Sequence, residues 1–316
     1  MLFFNRLKPL MVHERLSIRN LILASAMICV MPLTAQAQAP SRFVFKIEGG
    51  GLHQSEVDLS DSSGGFSMDR SFVGASLDYG WSMRDLIGVS IGGGRSSYSF
   101  NDLTGLGGGE PWNKIEDSRI SVTWRFGIGD KGSVFLIPTA RMDGEKGSRS
   151  SDSTTYGLLA AAAWRINDTL TIGPGFGVFS RLEESTKFFP ILAIDWNITD
   201  RWSLSTGRGL AASQGPGLTL GYELNEDWTL GIAGRLEDIE FRLDDQGVAA
   251  GGVGRDQSLP LVFTAMLDPS PKLNLSVFAG VEIAGKLKLK DALGDVIEES
   301  SYDPAPVFGA TFEFRF

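Results

Sequence analysis

Residues 307–316, VFGATFEFRF, end the chain in a strict alternation of two kinds of side chain. Phe308, Ala310, Phe312, Phe314 and Phe316 fall on one parity, and mostly small or charged residues occupy the other. Successive side chains of a β-strand point to opposite faces, so this segment would carry an apolar, largely aromatic face and a more polar face. The pattern predicts a final β-strand with one face in an apolar environment.

The same period-2 alternation recurs through most of the chain. It is clear in residues 73–81, 119–128, 156–166 and 218–224, where bulky apolar residues alternate with small, polar or charged ones. No stretch shows a convincing helical period of 3.6 residues. We therefore predict an all-β protein.

Short and long connections between these segments alternate along most of the chain. The short ones are rich in Asn and Asp, which suit tight turns, and lie near residues 82–86, 127–132, 166–170, 198–202, 224–228 and 268–272. The long ones are rich in Gly, Ser and acidic residues and lie around 58–69, 101–117, 144–153, 244–256 and 290–303. Short turns at one end and long loops at the other are typical of a transmembrane β-barrel.

These boundaries predict an antiparallel up-and-down transmembrane β-barrel of about 14 strands. Twelve strands is the alternative, because residues 183–216 have short links on both sides and can be divided differently. The predicted strands lie near residues 42–57, 68–82, 86–100, 117–129, 132–143, 154–167, 169–183, 187–198, 201–212, 216–225, 227–243, 256–268, 272–289 and 305–316.

The charged residues of the strands fall on the parity opposite the apolar series. Since a lipid-facing Arg at the membrane midplane costs roughly 2–4 kcal/mol, this parity should face the lumen. The lumen-lining candidates are Arg119, Arg125, Arg165, Arg181, Arg235, Asp78, Asp195, Glu223 and Glu282, and Lys286, Lys288, Glu313 and Arg315 are expected on the same face. Five tryptophans near short turns predict an aromatic girdle at that end: Trp81, Trp164, Trp196, Trp202 and Trp228.

The predicted inner face also includes glycines and apolar residues. Gly173, Gly175 and Gly177 would leave room in the lumen. The predicted inward apolar residues are Leu159, Phe179, Phe189, Ile191 and Phe278. An inner face with this many apolar residues suits either a plugged lumen or a passage for hydrophobic solutes.

The first 37 residues are predicted to be a cleaved signal peptide, followed by the barrel at residues 38–316. An apolar run at 21–33 follows Arg15 and Arg19, and residues 35–37, AQA, form a small-x-small cleavage site. Either Met1 or Met11 could be the start. The one cysteine, Cys29, lies in this leader, so we expect neither disulfides nor thiol chemistry in the mature chain.

Phe312, Phe314 and Phe316 resemble the C-terminal assembly signal of Gram-negative outer-membrane proteins, which ends in Phe after alternating apolar residues. From leader to final Phe, the chain is similar to the outer-membrane β-barrel class. It also resembles uncharacterised outer-membrane barrel families and, somewhat, the transporters of the MetA-pathway phenol-degradation type. The resemblance implies an outer-membrane location, with outer-membrane lipid, periplasmic chaperones and the barrel-assembly machinery as partners.

His53 and Ser55 form an H-x-S pair on one strand face, with Glu48 and Glu56 nearby. A serine hydrolase needs such a base beside its nucleophile, but a polar pair near the barrel rim is the simpler interpretation. With one histidine and no cysteine after cleavage, we expect no metal centre and no cofactor. The net charge of −9 at pH 7 argues against nucleic-acid binding, which needs basic patches.

We therefore expect passive passage of small solutes, hydrophobic ones included. A non-conducting structural or surface-binding barrel is the alternative, and a lipid-modifying hydrolase using His53 and Ser55 is the least favoured. The solute and the oligomeric state stay open at this point.

Overall fold

The computed structural model describes residues 43–82, 84–207 and 217–316, and the predicted leader lies outside them. No helix in these ranges is long and apolar enough to cross a membrane. The β-segments are β1 Phe43–Asp58, β2 Gly65–Gly80, β3 Leu86–Asn101, β4 Lys114–Ile128, β5 Gly132–Glu145, β6 Thr154–Arg165, β7 Leu170–Phe179, β8 Lys187–Asn197, β9 Trp202–Thr206, β10 Gly217–Glu223, β11 Trp228–Arg235, β12 Glu237–Arg242, β13 Val253–Ser270, β14 Leu273–Lys290, β15 Val296–Tyr302 and β16 Ala305–Arg315.

These segments form one closed antiparallel barrel of 14 strands, as predicted. Two strands are interrupted: β11 and β12 both pair with β13, and β15 and β16 both pair with β14. The last strand closes the barrel against the first, with Gly49 opposite Phe312 and Ile47 opposite Phe314. The alternation at the C-terminus therefore belongs to the closing strand.

Asparagine side chains build two of the short turns, those after β6 and β10. The Oδ1 atom of Asn167 accepts hydrogen bonds from the backbone N–H groups of Thr169 and Leu170, at 2.9 and 2.8 Å. In the turn after β10, Asn225 accepts from the backbone N–H of Trp228 at 3.0 Å. Such side-chain turns satisfy backbone donors that a tight hairpin leaves unpaired. The similar sequences of the two turns therefore produce similar hairpins.

The outer face carries an apolar belt. Outward side chains such as Val73, Leu77, Ile120 and Phe263 are half exposed or more. The five predicted girdle tryptophans, joined by Trp124, are exposed near the short turns. Closed barrels satisfy every backbone group internally, which is what a hydrocarbon environment requires. We call this end of the barrel the short-turn end and the opposite one the loop end.

The barrel narrows at the loop end. There β12 leaves the wall and pairs with β5, with Arg242 opposite Gly144. At the other side β15 reaches β1 through a bridge between Leu59 and Tyr302. The segments β1 to β5 and β12 to β15 therefore close a narrower ring, and β6, β7 and β8 lie outside it.

The first hairpin is longer than predicted. Residues 58–69 were expected to form a loop, but β1 continues to Asp58 and β2 begins at Gly65. The prediction was wrong because Ser and Gly in this stretch look like a loop, whereas Phe66 and Met68 continue the inward alternation and are buried.

Lys286 and Lys288 do not share the inward face predicted for them. Ala284 has a positive φ of 54°, and β14 has one more residue than β13 across the register shift there. Such a β-bulge reverses the parity of the residues that follow. Leu287 and Leu289 consequently point inward and are fully buried.

Candidate functional site: the interior of the barrel

The loop end of the interior is filled by an apolar plug. We define it as the buried residues Phe66, Met68, Tyr98, Phe100, Leu106, Trp112, Phe241, Leu243, Leu287, Leu289 and Tyr302. Leu106 and Trp112 come from the connection between β3 and β4, and Leu243 follows β12. The Trp112 ring packs edge-on against Phe100 at 5.5 Å and Phe241 at 5.3 Å. Within the described residues, this plug occupies the inside of the narrow ring.

A buried polar cluster lies against the plug, around Arg70. The Arg70 guanidinium is 3.7 Å from Glu237 and donates to Ser96 at 3.0 Å. Asp256 accepts hydrogen bonds from Tyr98 and Tyr302, at 2.9 and 3.2 Å. Buried charges of this kind are tolerated only when they are paired or hydrogen-bonded.

Of the predicted lumen candidates, Glu282 is only 3% exposed and interacts electrostatically with this cluster. The sequence did not identify Arg70 or Asp256, which lie at or near the edges of predicted loops. Their strand alternation was the signal that could have found them, since Met68 and Arg70 share a parity with Phe66.

Other candidates form ion pairs over the inner face nearer the short-turn end, between neighbouring strands or across two intervening ones. Arg119 on β4 contacts Glu48 on β1 at 3.2 Å, and Asp78 contacts Lys46 at 3.0 Å. Small residues make room for these side chains: a Cβ at Gly88 would lie 2.0 Å from the Asp78 carboxylate. The paired charges project from the inner wall and keep part of their surface accessible, with 29% of the Arg119 side chain and 35% of the Glu48 side chain exposed.

The remaining candidates are spread around the inner wall. Arg165 on β6 and Asp195 on β8 lie on either side of β7, because both are register partners of Thr171. Arg125 and Arg235 lie on inner parities of β4 and β11, and Glu223 ends β10 at the short-turn end. A role for these residues in lining a passage stays a prediction.

An ion-pair cluster closes the space between the narrow ring and the wall that lies outside it. We define the loop-end ion cluster as Arg181, Glu184, Lys187, Asp238, Glu240, Arg255 and Lys290. Arg181 was predicted to line the lumen, but it follows the end of β7 and pairs with Glu184 and Glu240. Lys187 pairs with Asp238, linking β8 to β12. The cluster therefore holds the connection between β7 and β8 against β12, β13 and β14.

Two members of this cluster differ in exposure, since Lys290 is fully enclosed and the Glu184 side chain is 28% exposed. The Lys290 side chain is 0% exposed, and its ammonium group contacts Glu184 and lies 3.3 Å from Glu240. Burial raises the pKa of Glu184, but the hydrogen bond from Lys290 and the charge of Arg181 outweigh this effect and lower the pKa below its ordinary value. The carboxylate therefore stays ionised at neutral pH.

Below the ion cluster, the inner face of β6, β7 and β8 is apolar and carries small residues. We call the space along this face the side vestibule. The Phe179 and Phe189 rings lie nearly parallel, with centroids 5.9 Å apart. Each ring covers a glycine: a Cβ at Gly157 would meet Phe179 at 2.1 Å, and one at Gly177 would meet Phe189 at 2.3 Å. The aromatic rings therefore lie against the wall and not across the lumen.

The apolar side chains of the vestibule are accessible. Leu159, Phe179, Phe189 and Ile191 face inward, as predicted, and each remains partly exposed. Phe278 also faces inward, as predicted, but it is only 4% exposed because it packs with the core cluster. A fully packed interior would bury all five, so solvent-accessible space adjoins the β6–β8 wall.

His53 does not form the hydrolase pair with Ser55 that was the least favoured interpretation of the sequence. Its Nδ1 atom hydrogen-bonds the Asp69 carboxylate at 2.8 Å, and its ring lies 5.1 Å from Phe308. Phe308 belongs to the lipid-facing parity, so His53 lies on the outer face. Among the described residues, no hydrogen bond joins His53 to Ser55, and the contact needed to activate a nucleophile is not made.

No protein-family model and no curated protein matches this chain. Among solved structures, an outer-membrane channel from Pseudomonas putida F1 is 9% identical, covers 89% of this chain and 100% of its own, and has a TM-score of 0.48. A Pseudomonas aeruginosa FadL homologue is 13% identical, covers 87% and 90%, and scores 0.44. A mutant of the monoaromatic hydrocarbon channel TodX is 8% identical, covers 88% and 91%, and scores 0.38.

Proposed function

We propose that this chain is a channel in the outer membrane of a Gram-negative bacterium, allowing small solutes, hydrophobic ones included, to pass. The closed barrel, its apolar belt and the tryptophans at the short-turn end support the membrane location. The outward Phe312, Phe314 and Phe316 support recognition by the assembly machinery and by periplasmic chaperones. Outer-membrane lipid is then the surrounding partner.

The side vestibule is the observation that carries the channel proposal. A purely structural barrel gains nothing from partly exposed apolar side chains inside its lumen, because their burial would stabilise it by about 25 cal/mol for each Å². Leu159 and Ile191 nevertheless stay partly exposed beside a row of glycines on β7. Such a wall accommodates a solute with apolar surface without requiring strong binding, which would slow its release.

Solute movement beyond the vestibule requires a rearrangement at the loop end. The apolar plug and the loop-end ion cluster both block the axial direction. Of the two, the ion cluster is the better gate, because separated charges can be rehydrated whereas an opened apolar core exposes its surface to water. We therefore place the gate at the connection between β7 and β8.

Liposome swelling with the refolded mature protein tests this function. Uncharged solutes of increasing apolar character should enter in a protein-dependent manner. Ile191→Asn should slow the apolar solutes at least threefold more than the polar ones. Val44→Asn is the matched control, since it makes the same kind of change on the inner parity of β1, outside the vestibule. Equal effects of both variants on all solutes would contradict a route along the β6–β8 wall.

A non-conducting structural or surface-binding barrel is the second candidate, favoured by the filled loop end. Planar-bilayer recordings discriminate between the two. Discrete current steps from protein with heat-modifiable gel mobility support the channel. Correctly folded protein that stays silent, also after the ion cluster has been broken, would instead support the structural barrel.

A further inference from the structure

A groove of about 400 Å³ lies on the outer face of the barrel, across β16, β1, β2 and β3. Phe308 and His53 line one side, and Arg95 lines the other. Ser71 of β2 also lines the groove, and Val73, two residues farther along β2 toward the short-turn end, is a half-exposed member of the apolar belt. On the loop-end side, Asp69 is 72% exposed. The groove therefore lies where the apolar belt meets the polar rim.

The groove exists because a glycine without a side chain forms its floor. A Cβ at Gly51 would have one heavy atom within 4 Å, the Arg70 carbonyl oxygen at 3.3 Å, so no side chain covers this position. The next outward residue of β1, Gly49, is different, because a Cβ there would meet the Phe312 ring at 2.8 Å. The first glycine thus forms an open floor, whereas the second is already covered by an aromatic ring.

Polar groups with unused hydrogen-bonding capacity surround this floor. Arg95 uses one terminal nitrogen for Glu116 at 2.7 Å, and the other N–H groups of its guanidinium have no partner among the described residues. His53 uses Nδ1 for Asp69 and leaves Nε2 without a partner in the same part of the chain. The Ser97 hydroxyl also lines the groove. A ligand that accepts hydrogen bonds would satisfy the Arg95 and Ser97 donors, whereas in the tautomer whose Nδ1–H donates to the Asp69 carboxylate, His53 Nε2 is itself an acceptor.

We propose that this groove binds the phosphoryl head group of one anionic membrane lipid, with its acyl chains lying along the apolar belt. A guanidinium group matches phosphate oxygens in a bidentate geometry. The Arg95–Glu116 pair is more than half exposed on both sides, and such pairs contribute little, so it does not prevent Arg95 from contacting phosphate. The lipid would cover the seam between β16 and β1, where the barrel closes.

Native mass spectrometry of the full mature barrel tests this proposal. The refolded protein is equilibrated in mixed micelles with phosphatidylglycerol or phosphatidylcholine, and the lipid retained per barrel is counted. We expect one phosphatidylglycerol to be retained at least fivefold more than phosphatidylcholine. Arg95→Gln should abolish this preference, and Ser71→Phe should reduce retention of both lipids by filling the groove.

Arg315→Gln is the matched control. Arg315 is 55% exposed and pairs with a glutamate of its own strand at 2.5 Å, and Arg95 is also 55% exposed. This variant should keep the wild-type preference, and heat-modifiable gel mobility confirms that each variant is folded. Equal retention of the two lipids by the wild type, or equal losses in Arg95→Gln and Arg315→Gln, would overturn the proposal. None of these outcomes depends on whether the barrel conducts.

Discussion

Replacing Lys290 by Met should open the loop end of the barrel. The Lys290 side chain is fully enclosed, and its ammonium group joins Glu184 of the β7–β8 connection to Glu240 of β12. Methionine has a similar length and no charge. The substitution therefore removes the ionic link with little change in volume.

The free-energy cost of the substitution depends on which other contacts Glu184 and Glu240 keep. Removing one partner of a buried ion pair costs about 3–5 kcal/mol when the other charge is left unpaired. Here Arg181 still contacts both Glu184 and Glu240, and Glu184 is 28% exposed, so water can replace part of the lost interaction. We expect a loss of about 1–3 kcal/mol, equivalent to a roughly 5- to 150-fold increase in the open population.

The assay is the open probability of single barrels in a planar bilayer. Lys286→Met is the control, because Lys286 lies on the same strand but pairs with Glu299 outside the cluster, at 2.6 Å. Only Lys290→Met should raise the open probability, and added salt should bring the wild type closer to the variant. An unchanged open probability in folded Lys290→Met protein, or an equal increase in Lys286→Met, would refute the gating argument.

Acid should open the same gate: the folded-state pKa of Glu184 lies below its ordinary value of 4.5, so its contribution to closure is complete at neutral pH and is lost as the pH falls below 4.5 through the folded value. Currents recorded from pH 7 down to pH 3 check this, and Glu184→Gln should remove the pH dependence. Deleting Phe316 should slow assembly, because its backbone N–H donates to the Phe45 carbonyl at 2.9 Å and its ring packs at 5.3 Å from that of Phe45. Normal amounts of heat-modifiable barrel in the outer membrane would count against this. Trp112→Ala should cost about 3–5 kcal/mol in urea unfolding from lipid vesicles, because the side chain is 2% exposed and surrounded by aromatic rings. A cost below about 1 kcal/mol would mean that the plug does not stabilise the barrel.

The sequence by itself determined the architecture of the wall. Alternation is a local property, since each residue's face depends only on its parity within the strand. The 14 strands, the apolar outer face and the inward apolar residues of β6 to β8 could therefore be predicted. Asn167 and Asn225 likewise act within their own turns, so their hairpins were recognisable without knowledge of distant residues.

Only the tertiary structure decided what the interior does. The narrow ring depends on Arg242 meeting Gly144, and the loop-end ion cluster depends on Lys290 meeting Glu184. These contacts join residues about a hundred positions apart, and no local pattern encodes them. The bulge at Ala284 reversed the parity of one strand, because a single extra residue shifts every later side chain to the other face. The local pattern could thus identify the wall, whereas long-range pairing between strands and loops determined how its loop end is filled.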